Sequence, residues 1–415
     1  MRNALTGHGE CQSFNCDAGL APTCRGNNPP EIGAIPARRF CSAGPAITFA
    51  TLVPCADSDP GRAGDYHVAG VDADAAANDR DVERQLRFAA GEHGGRAMIA
   101  IDWGTTHLRA YRLDDAGAIV SRRSQPKGIM AISGGDFAAA LDEITRDWHD
   151  AADREVVMSG MIGNRQGWVE VPYVSCPAAL RDLADAVRAA PTDGARDVLI
   201  CPGLVSRDAD GVPDVMRGEE VQIFGALSIS TTTTATVLLP GTHSKHAAVT
   251  NGSITGFVTH MTGEVFALLS DHSILGRLMA PRRVDLGSFD AGLDRARHRN
   301  GLLHHIFGVR TRMLMNELDA ASLPDYLSGI LIGHEIASAA ISPPAIVVGE
   351  PDLGALYRRA LDHIGIGAEL IESDAATTRG LHAVAELRRK TRHDFLSHPA
   401  RASAAHRHPA RDHAG

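Results

Sequence analysis

The feature that most narrows the fold of this chain is a layout that occurs twice. Over residues 98–109 a short apolar run, Met98 to Ile101, ends in Asp102. Gly104, Thr105 and Thr106 then turn the chain, and a second run starts at Leu108. This spacing predicts a strand, a tight glycine turn and a returning strand. Asp114-Asp115-Ala116-Gly117 is the next turn, and 119–124 reads as a third strand. Downstream the succession returns. An apolar strand at 235–240 ends in Gly241-Thr242-His243-Ser244-Lys245, and residues 246–250 run back. Asn251-Gly252 is a type I′ hairpin signal, with 253–260 as the third strand.

Each unit leads into helices and further strands. Phe137, Leu141, Ile144 and Trp148 repeat at helical spacing and predict a helix over 136–149. A strand at 155–159 and a glycine-rich loop from Gly160 to Trp168 follow. A helix near 177–190, a strand at 198–202 and a helix over 218–227 complete the first half, and Thr231 to Thr234 read as a linker. The second unit continues with helices at 263–272, 301–318 and 323–340. A strand at 345–348, a helix at 353–363, a strand at 368–371 and a helix at 377–388 close the pattern. Three antiparallel strands followed by crossovers predict mixed sheets covered by helices.

Composition removes several classes of function. A chain of 415 residues has room for about two domains. A net charge of −9 argues against a nucleic-acid-binding surface as the main business. No apolar run reaches the ~18 residues of a membrane span, and the N-terminus lacks a signal pattern, so the expected location is cytoplasmic. Cys11, Cys16, Cys24, Cys41 and Cys55 match no zinc spacing, and Cys176 and Cys201 read as buried apolar residues. Residues 1–97 show no sustained period and read as a disordered tail or an upstream start mis-called in translation. The second is preferred, because Met98 stands directly before the first strand. Residues 389–415, with His393, His398, His406, His408 and His413, read as a solvated basic tail rather than a metal site.

The turns carry the chemistry. Gly104, Thr105 and Thr106 offer backbone N–H groups and hydroxyls to an anion, while Asp102 sits where a hydrated Mg²⁺ can bridge to phosphate. An Asp-x-Gly-x-Thr string alone is equally an ordinary hairpin turn. Two such turns facing one cleft make a clamp for a polyphosphate, Gly241, Thr242 and Lys245 forming the second jaw. No Gly-x-x-x-x-Gly-Lys-[Ser/Thr] occurs, so the chain is not a P-loop enzyme.

The two-turn arrangement resembles the superfamily of sugar kinases, Hsp70 and actin. Five strings narrow it. These are Asp102 through Arg109, Ser159-Gly160-Met161-Ile162-Gly163 with Gly167-Trp168 and Pro172-Tyr173, Met216-Arg217-Gly218-Glu219-Glu220, Pro240 through Lys245, and Met261-Thr262-Gly263-Glu264. In this order they resemble the 2-dehydro-3-deoxygalactonokinase family over residues 98–386. The resemblance implies an α/β fold of two duplicated actin-like (ribonuclease H-like) domains with an interdomain cleft. The first would span 98–230, with helix 377–388 packing back on it, and the second 235–376. It implies ATP as phosphoryl donor, Mg²⁺ at Asp102, and transfer to the 6-hydroxyl of 2-dehydro-3-deoxy-D-galactonate. A sugar acid needs cations, and Arg109, Arg165, Arg217 and Lys245 lie in or beside the glycine-rich loops; for any one of the arginines a surface salt bridge is the plain alternative. Glu264 joins the substrate-binding candidates, and Gly349 falls where the superfamily places the nucleoside. His243 reads as a hydrogen-bonded histidine, since no second ligand sits at useful spacing.

Glu219 and Glu220 open a helix between the two halves. A helix-start carboxylate is stabilised by the dipole alone. The string also resembles one in exopolyphosphatases that orients the nucleophile, so one of the pair, Glu220 ahead of Glu219, is the candidate catalytic base. A phosphohydrolase, which would release phosphate without sugar acid, and a non-catalytic sugar- or nucleotide-sensing regulator are the alternatives. The partners are the sugar acid and ATP, with no nucleic acid and no membrane. Oligomeric state, a homodimer included, stays open.

Overall fold

The computed structural model of the chain describes residues 97–148, 151–194 and 196–397. The expectations for 1–96, for the five cysteines within it and for the histidines beyond 397 lie outside the described residues.

The strands are β1 (Met98–Trp103), β2 (Leu108–Leu113), β3 (Ile119–Gln125), β4 (Glu155–Ser159), β5 (Val174–Ser175), β6 (Ala178–Ala179), β7 (Arg188–Ala189), β8 (Asp197–Ile200), β9 (Leu204–Arg207), β10 (Pro213–Met216), β11 (Ala235–Leu239), β12 (Ser244–Thr250), β13 (Ser253–His260), β14 (Ala345–Gly349) and β15 (Ala368–Glu372). The helices are α1 (Phe137–Ile144), α2 (Leu180–Ala186), α3 (Glu219–Ser230), α4 (Thr262–His272), α5 (Leu286–Ala296), α6 (Gly301–Leu314), α7 (Leu323–Ser338), α8 (Pro351–His363) and α9 (Ser373–Ser397).

The expected repeat is present in the strand order. One six-stranded sheet runs β3-β2-β1-β4-β8-β7, the other β15-β14-β11-β12-β13-β6. Apart from its last short strand, each follows third, second, first, fourth, fifth. In both, the first strand pairs antiparallel with the second and parallel with the fourth. Met98 through Ile101 have no exposed surface because helices cover both faces of the sheet, which is why β1 reads as a continuous apolar run rather than an alternation.

One helix serves both sheets. Val221 of α3 joins Met98, Ala100 and Leu381 in one apolar cluster, while Ile223, Phe224 and Leu227 join Val237, Leu239 and Ile346 in another. A helix apolar all round is a buried helix, and α3 is buried by two partners. It crosses α9 at a backbone-to-backbone contact: a Cβ on Gly225 would lie 1.9 Å from Ala376 O, and one on Gly380 2.0 Å from Val221 O.

Several expectations are corrected. The helix expected over 136–149 stops at Ile144, where the Thr145 hydroxyl bonds back to Leu141 O. The one expected over 177–190 is split into β6, α2 and β7, and β6 crosses over to pair with β13 of the second sheet. Residues 204–216 form the β9–β10 hairpin, which with β5 makes a third, small sheet. Helix α5 was not expected. Its N-cap Asp285 and its buried Phe289 and Leu293 are scattered among Arg, Asp and Gly, which hid the period. Helix α9, expected over 377–388, packs on α3 and on β1 and β4 and runs from Ser373 to Ser397. Arg389, expected to begin a solvated tail, is 2.7 Å from Glu155 through Nε.

Candidate active site

Asp102, the penultimate residue of β1, has its side chain only 19% exposed, and Arg109 Nη1 donates to its Oδ2 at 3.2 Å. Burial raises its carboxyl above the ordinary range; Arg109 opposes this, and the negative charges of Asp374 and Glu219 add to it. Beside it, β4 ends in Ser159, in register with Asp102, followed by Gly160 at φ +94°. A Cβ there would sit 2.8 Å from Trp103 O. Gly218, at φ +112°, caps α3, and a Cβ on it would lie 3.2 Å from Gly160 Cα. Glycine at both positions lets the start of α3 reach the end of β4 next to Asp102.

That contact places Glu219. One of its oxygens accepts the Arg217 N–H at 3.0 Å, and the other is 3.6 Å from Lys245 Nζ. Lys245, on the returning strand of the second turn, is 4% exposed, and its ammonium also donates to His243 O at 3.2 Å. Glu219 therefore stands between the carboxylate of the first turn and the ammonium of the second. Glu220, ranked ahead of it from sequence, points into the protein instead. It has no exposed surface, its Oε2 accepts the Gly218 N–H at 2.7 Å, and its Oε1 has no partner. Burial, then the charge of Glu219, pushes its carboxyl up to about 8, so at neutral pH it is mostly protonated.

Arg217 places its guanidinium over the Tyr173 ring, Cζ 4.3 Å from the centroid, and donates through Nη2 to Val171 O at 2.7 Å. Its Nε and Nη1 are buried with no protein acceptor, and Nη1 occupies the space a Cβ at Gly163 would need. A buried donor left unpaired costs about 1–3 kcal/mol, so this guanidinium calls for an anion.

The two turns differ in what they offer. In the first, the Gly104 N–H is already used, donating to His107 O at 2.9 Å, while Thr105 and Thr106 are exposed. In the second, Gly263 lets α4 close on the turn, its Glu264 N–H donating to Thr242 O at 3.0 Å. The Glu264 carboxylate holds His243 at 2.5 Å, so His243 is hydrogen-bonded as its spacing predicts and Glu264 is engaged. Arg109 also bridges to Glu350 Oε1 at 3.5 Å, just after Gly349 at the end of β14. Its charge is thus engaged on two carboxylates. Arg165 is not drawn into the group: its side chain is 87% exposed and its nearest acid is Glu170 at 3.8 Å. The sequence reading missed a buried cluster behind the second turn, Ser244–Tyr357–Glu335–His246, whose members are too far apart in the chain to signal one another.

The family profile described as 2-keto-3-deoxy-galactonokinase matches residues 102–384. The chain belongs to that family. This galactonokinase-family chain is 34% identical over 292 residues to the 2-dehydro-3-deoxygalactonokinase of Escherichia coli (strain K12), spanning 69% of this chain and 97% of that one. It is 36% identical over 294 residues to a Rhizobium meliloti (strain 1021) protein bearing the same enzyme name, 69% of this chain and 95% of that one. A crystal structure of a Sinorhizobium meliloti protein assigned to the same kinase superimposes with a TM-score of 0.64 at 35% identity, covering 98% of its chain and 69% of this one. The α/β fold is thus of the actin-like sugar-kinase type. No described helix is long and apolar enough to cross a membrane.

A kinase of this family uses ATP with a divalent cation, and the residues fit the metal. No group of three metal-binding side chains occurs among the described residues, but Mg²⁺ is held by one or two carboxylates together with substrate phosphates and water. Asp102, a shielded carboxylate beside the negative charges of Glu219 and Asp374, suits that role.

Proposed function

We propose that this chain transfers the terminal phosphoryl group of ATP to the 6-hydroxyl of 2-dehydro-3-deoxy-D-galactonate, giving the 6-phosphate and ADP. The observation that carries the reading is the position of Glu219 between Asp102 and Lys245, where a hydroxyl and a phosphoryl group would meet. Phosphoryl transfer needs mainly positioning and charge neutralisation. Lys245, Gly241 and Thr242 hold the nucleotide phosphates, with Thr105 and Thr106 opposite them and Gly349 at the nucleoside end. Asp102 would hold the Mg²⁺, which would supply positive charge to the phosphates. Arg217, held over Tyr173 and on Val171 O beside the start of α3, is the cation for the sugar-acid carboxylate. Glu219 accepts the proton of the attacking hydroxyl. Arg109, already engaged on Asp102 and Glu350, orients the metal carboxylate rather than the sugar acid. The two sheets, carrying residues 98–230 and 235–376, act as the two lobes around this group. Nothing in the reading requires nucleic acid, and a cytoplasmic location fits the small, charged substrates.

The test is ADP release across a panel of 2-keto-3-deoxy sugar acids, with Glu219→Gln alongside. The galactonate-derived acid should be preferred, with no phosphate released in its absence. Glu219→Gln should lower kcat by about 10²–10⁴-fold at unchanged nucleotide affinity. Turnover within a few-fold of the parent would move the base elsewhere.

A further inference from the structure

Behind the second turn lies a buried polar chain that the phosphoryl-transfer chemistry does not itself use. Ser244, Lys245 and His246 are consecutive on β12, so Lys245 faces one side of the sheet while Ser244 and His246 face the other. On Lys245's side is the start of α3. On the opposite side, Glu335 of α7 is 3% exposed and Tyr357 of α8 1%. The Tyr357 hydroxyl donates to Glu335 Oε2 at 2.7 Å and takes the Ser244 hydroxyl at 2.9 Å, and His246 Nε2 is 2.7 Å from Glu335 Oε1. Burial and the Glu335 charge raise Tyr357 well above its ordinary value, so it stays a donor and the direction of the chain is set. The Thr262 hydroxyl also reaches the Tyr357 oxygen, and Thr262 opens α4, whose Gly263 and Glu264 cover the turn.

We infer that Glu335 and Tyr357 are positioning residues for phosphoryl transfer, fixing the 241–245 turn and Lys245 from the far side of the sheet. The chain grips the turn where it enters β12 and where α4 closes on it. Each neighbouring pair along the chain is hydrogen-bonded, with His246 Nδ1 left as a buried atom without a partner. Such a linked network favours one geometry, whereas apolar residues of similar volume would serve stability equally well. The turn itself is exposed at Thr242 and His243, so its rigidity has to come from behind.

This inference rests on the second turn holding nucleotide phosphates, which Thr242→Val tests separately by raising the KM for ATP. Tyr357→Phe keeps the ring and removes the link between Ser244 and Glu335. In the full-length enzyme it should raise the KM for ATP and lower kcat together, about tenfold in kcat/KM for ATP, with the KM for the sugar acid unchanged. Glu335→Gln, which keeps an acceptor for Tyr357, should recover most of what Glu335→Leu loses. The decisive measurement is a double-mutant cycle: Tyr357→Phe should have little further effect in a Lys245→Met background. Additive losses, or equal rises in both KM values, would overturn the inference. Should Glu335→Leu fail to fold, Tyr357→Phe alone still decides. A null result for Thr242→Val would sink the phosphate reading instead.

Discussion

The two strand–turn–strand units have the same strand order and put opposite chemistry at the same place. In the first, the residue in register with Arg109 is Asp102; in the second, the residue in register with Lys245 is Leu239. Both units thus carry a cation as the second residue of the returning strand. Arg109 meets a carboxylate across the ladder at 3.2 Å and is neutralised locally. Leu239 offers Lys245 nothing, so the ammonium reaches out of its own sheet to Glu219 at the start of α3. The difference in the first strand gives the first cation a partner in its own ladder and leaves the second without one there.

That comparison is broken most severely at the carboxylate. Asp102→Asn keeps the volume and a hydrogen bond to Arg109 but removes the charge. It should lower kcat by about 10³-fold and abolish the dependence of rate on Mg²⁺ concentration, with Tm within a few degrees of the parent. A variant that still responds to Mg²⁺ would show that the first turn is not the metal side.

The two cations give the next largest effect. A charge-assisted contact to phosphate contributes about 1.5–3 kcal/mol, or roughly 10–150-fold. Lys245→Met should raise the KM for ATP within that range, whereas Arg109→Met, whose partner is internal, should act mainly on kcat. Equal rises in ATP KM for both would mean that the units are functionally symmetric.

The smallest effect sharpens the distinction between the neighbouring glutamates. The folded chain holds the Glu220 proton up to about pH 8, while the unfolded chain releases it near 4.5, so raising pH across that window withdraws stability. Glu220→Gln removes the dependence. Its Tm relative to the parent should climb from about pH 5 to about pH 8 and then level off, with kcat within a few-fold of the parent. A flat difference would show Glu220 already ionised in the fold.

The strands of both turns were legible because a fully covered strand is an unbroken apolar run that ends where glycine and threonine begin. Arg217 and Glu219 stood out as candidates because they flank Gly218, which the chain needs for a tight approach to Gly160. Other parts were not. Consecutive glutamates on a helix point about 100° apart, and α3 has a sheet on either side, so only the packing separates Glu219 from Glu220. Helix α5 was masked by its charged residues, and β9 and β10, four residues each, are too short to show a period. The partner of Ser244, Tyr357, lies 113 residues away and that of His246, Glu335, 89 residues away, beyond any local pattern. Where Arg109 and Arg165 lie was not legible for a simpler reason: proximity to a loop in sequence says nothing about which acid will claim a guanidinium first, and Arg109 sits on Asp102 and Glu350 and Arg165 beside Glu170.

The exchange of β6 and α9 has a consequence for taking this protein apart. The threonine linker after α3 looks like the natural place to divide the gene, yet the upstream piece carries β6, the edge partner of β13, and the downstream piece carries α9, which covers β1 and β4. Each fragment would hold a segment the other cannot complete its sheet or core without. Such halves are built to fail alone and to find each other when co-expressed, which makes this linker a site for split-protein complementation rather than for isolating independent domains.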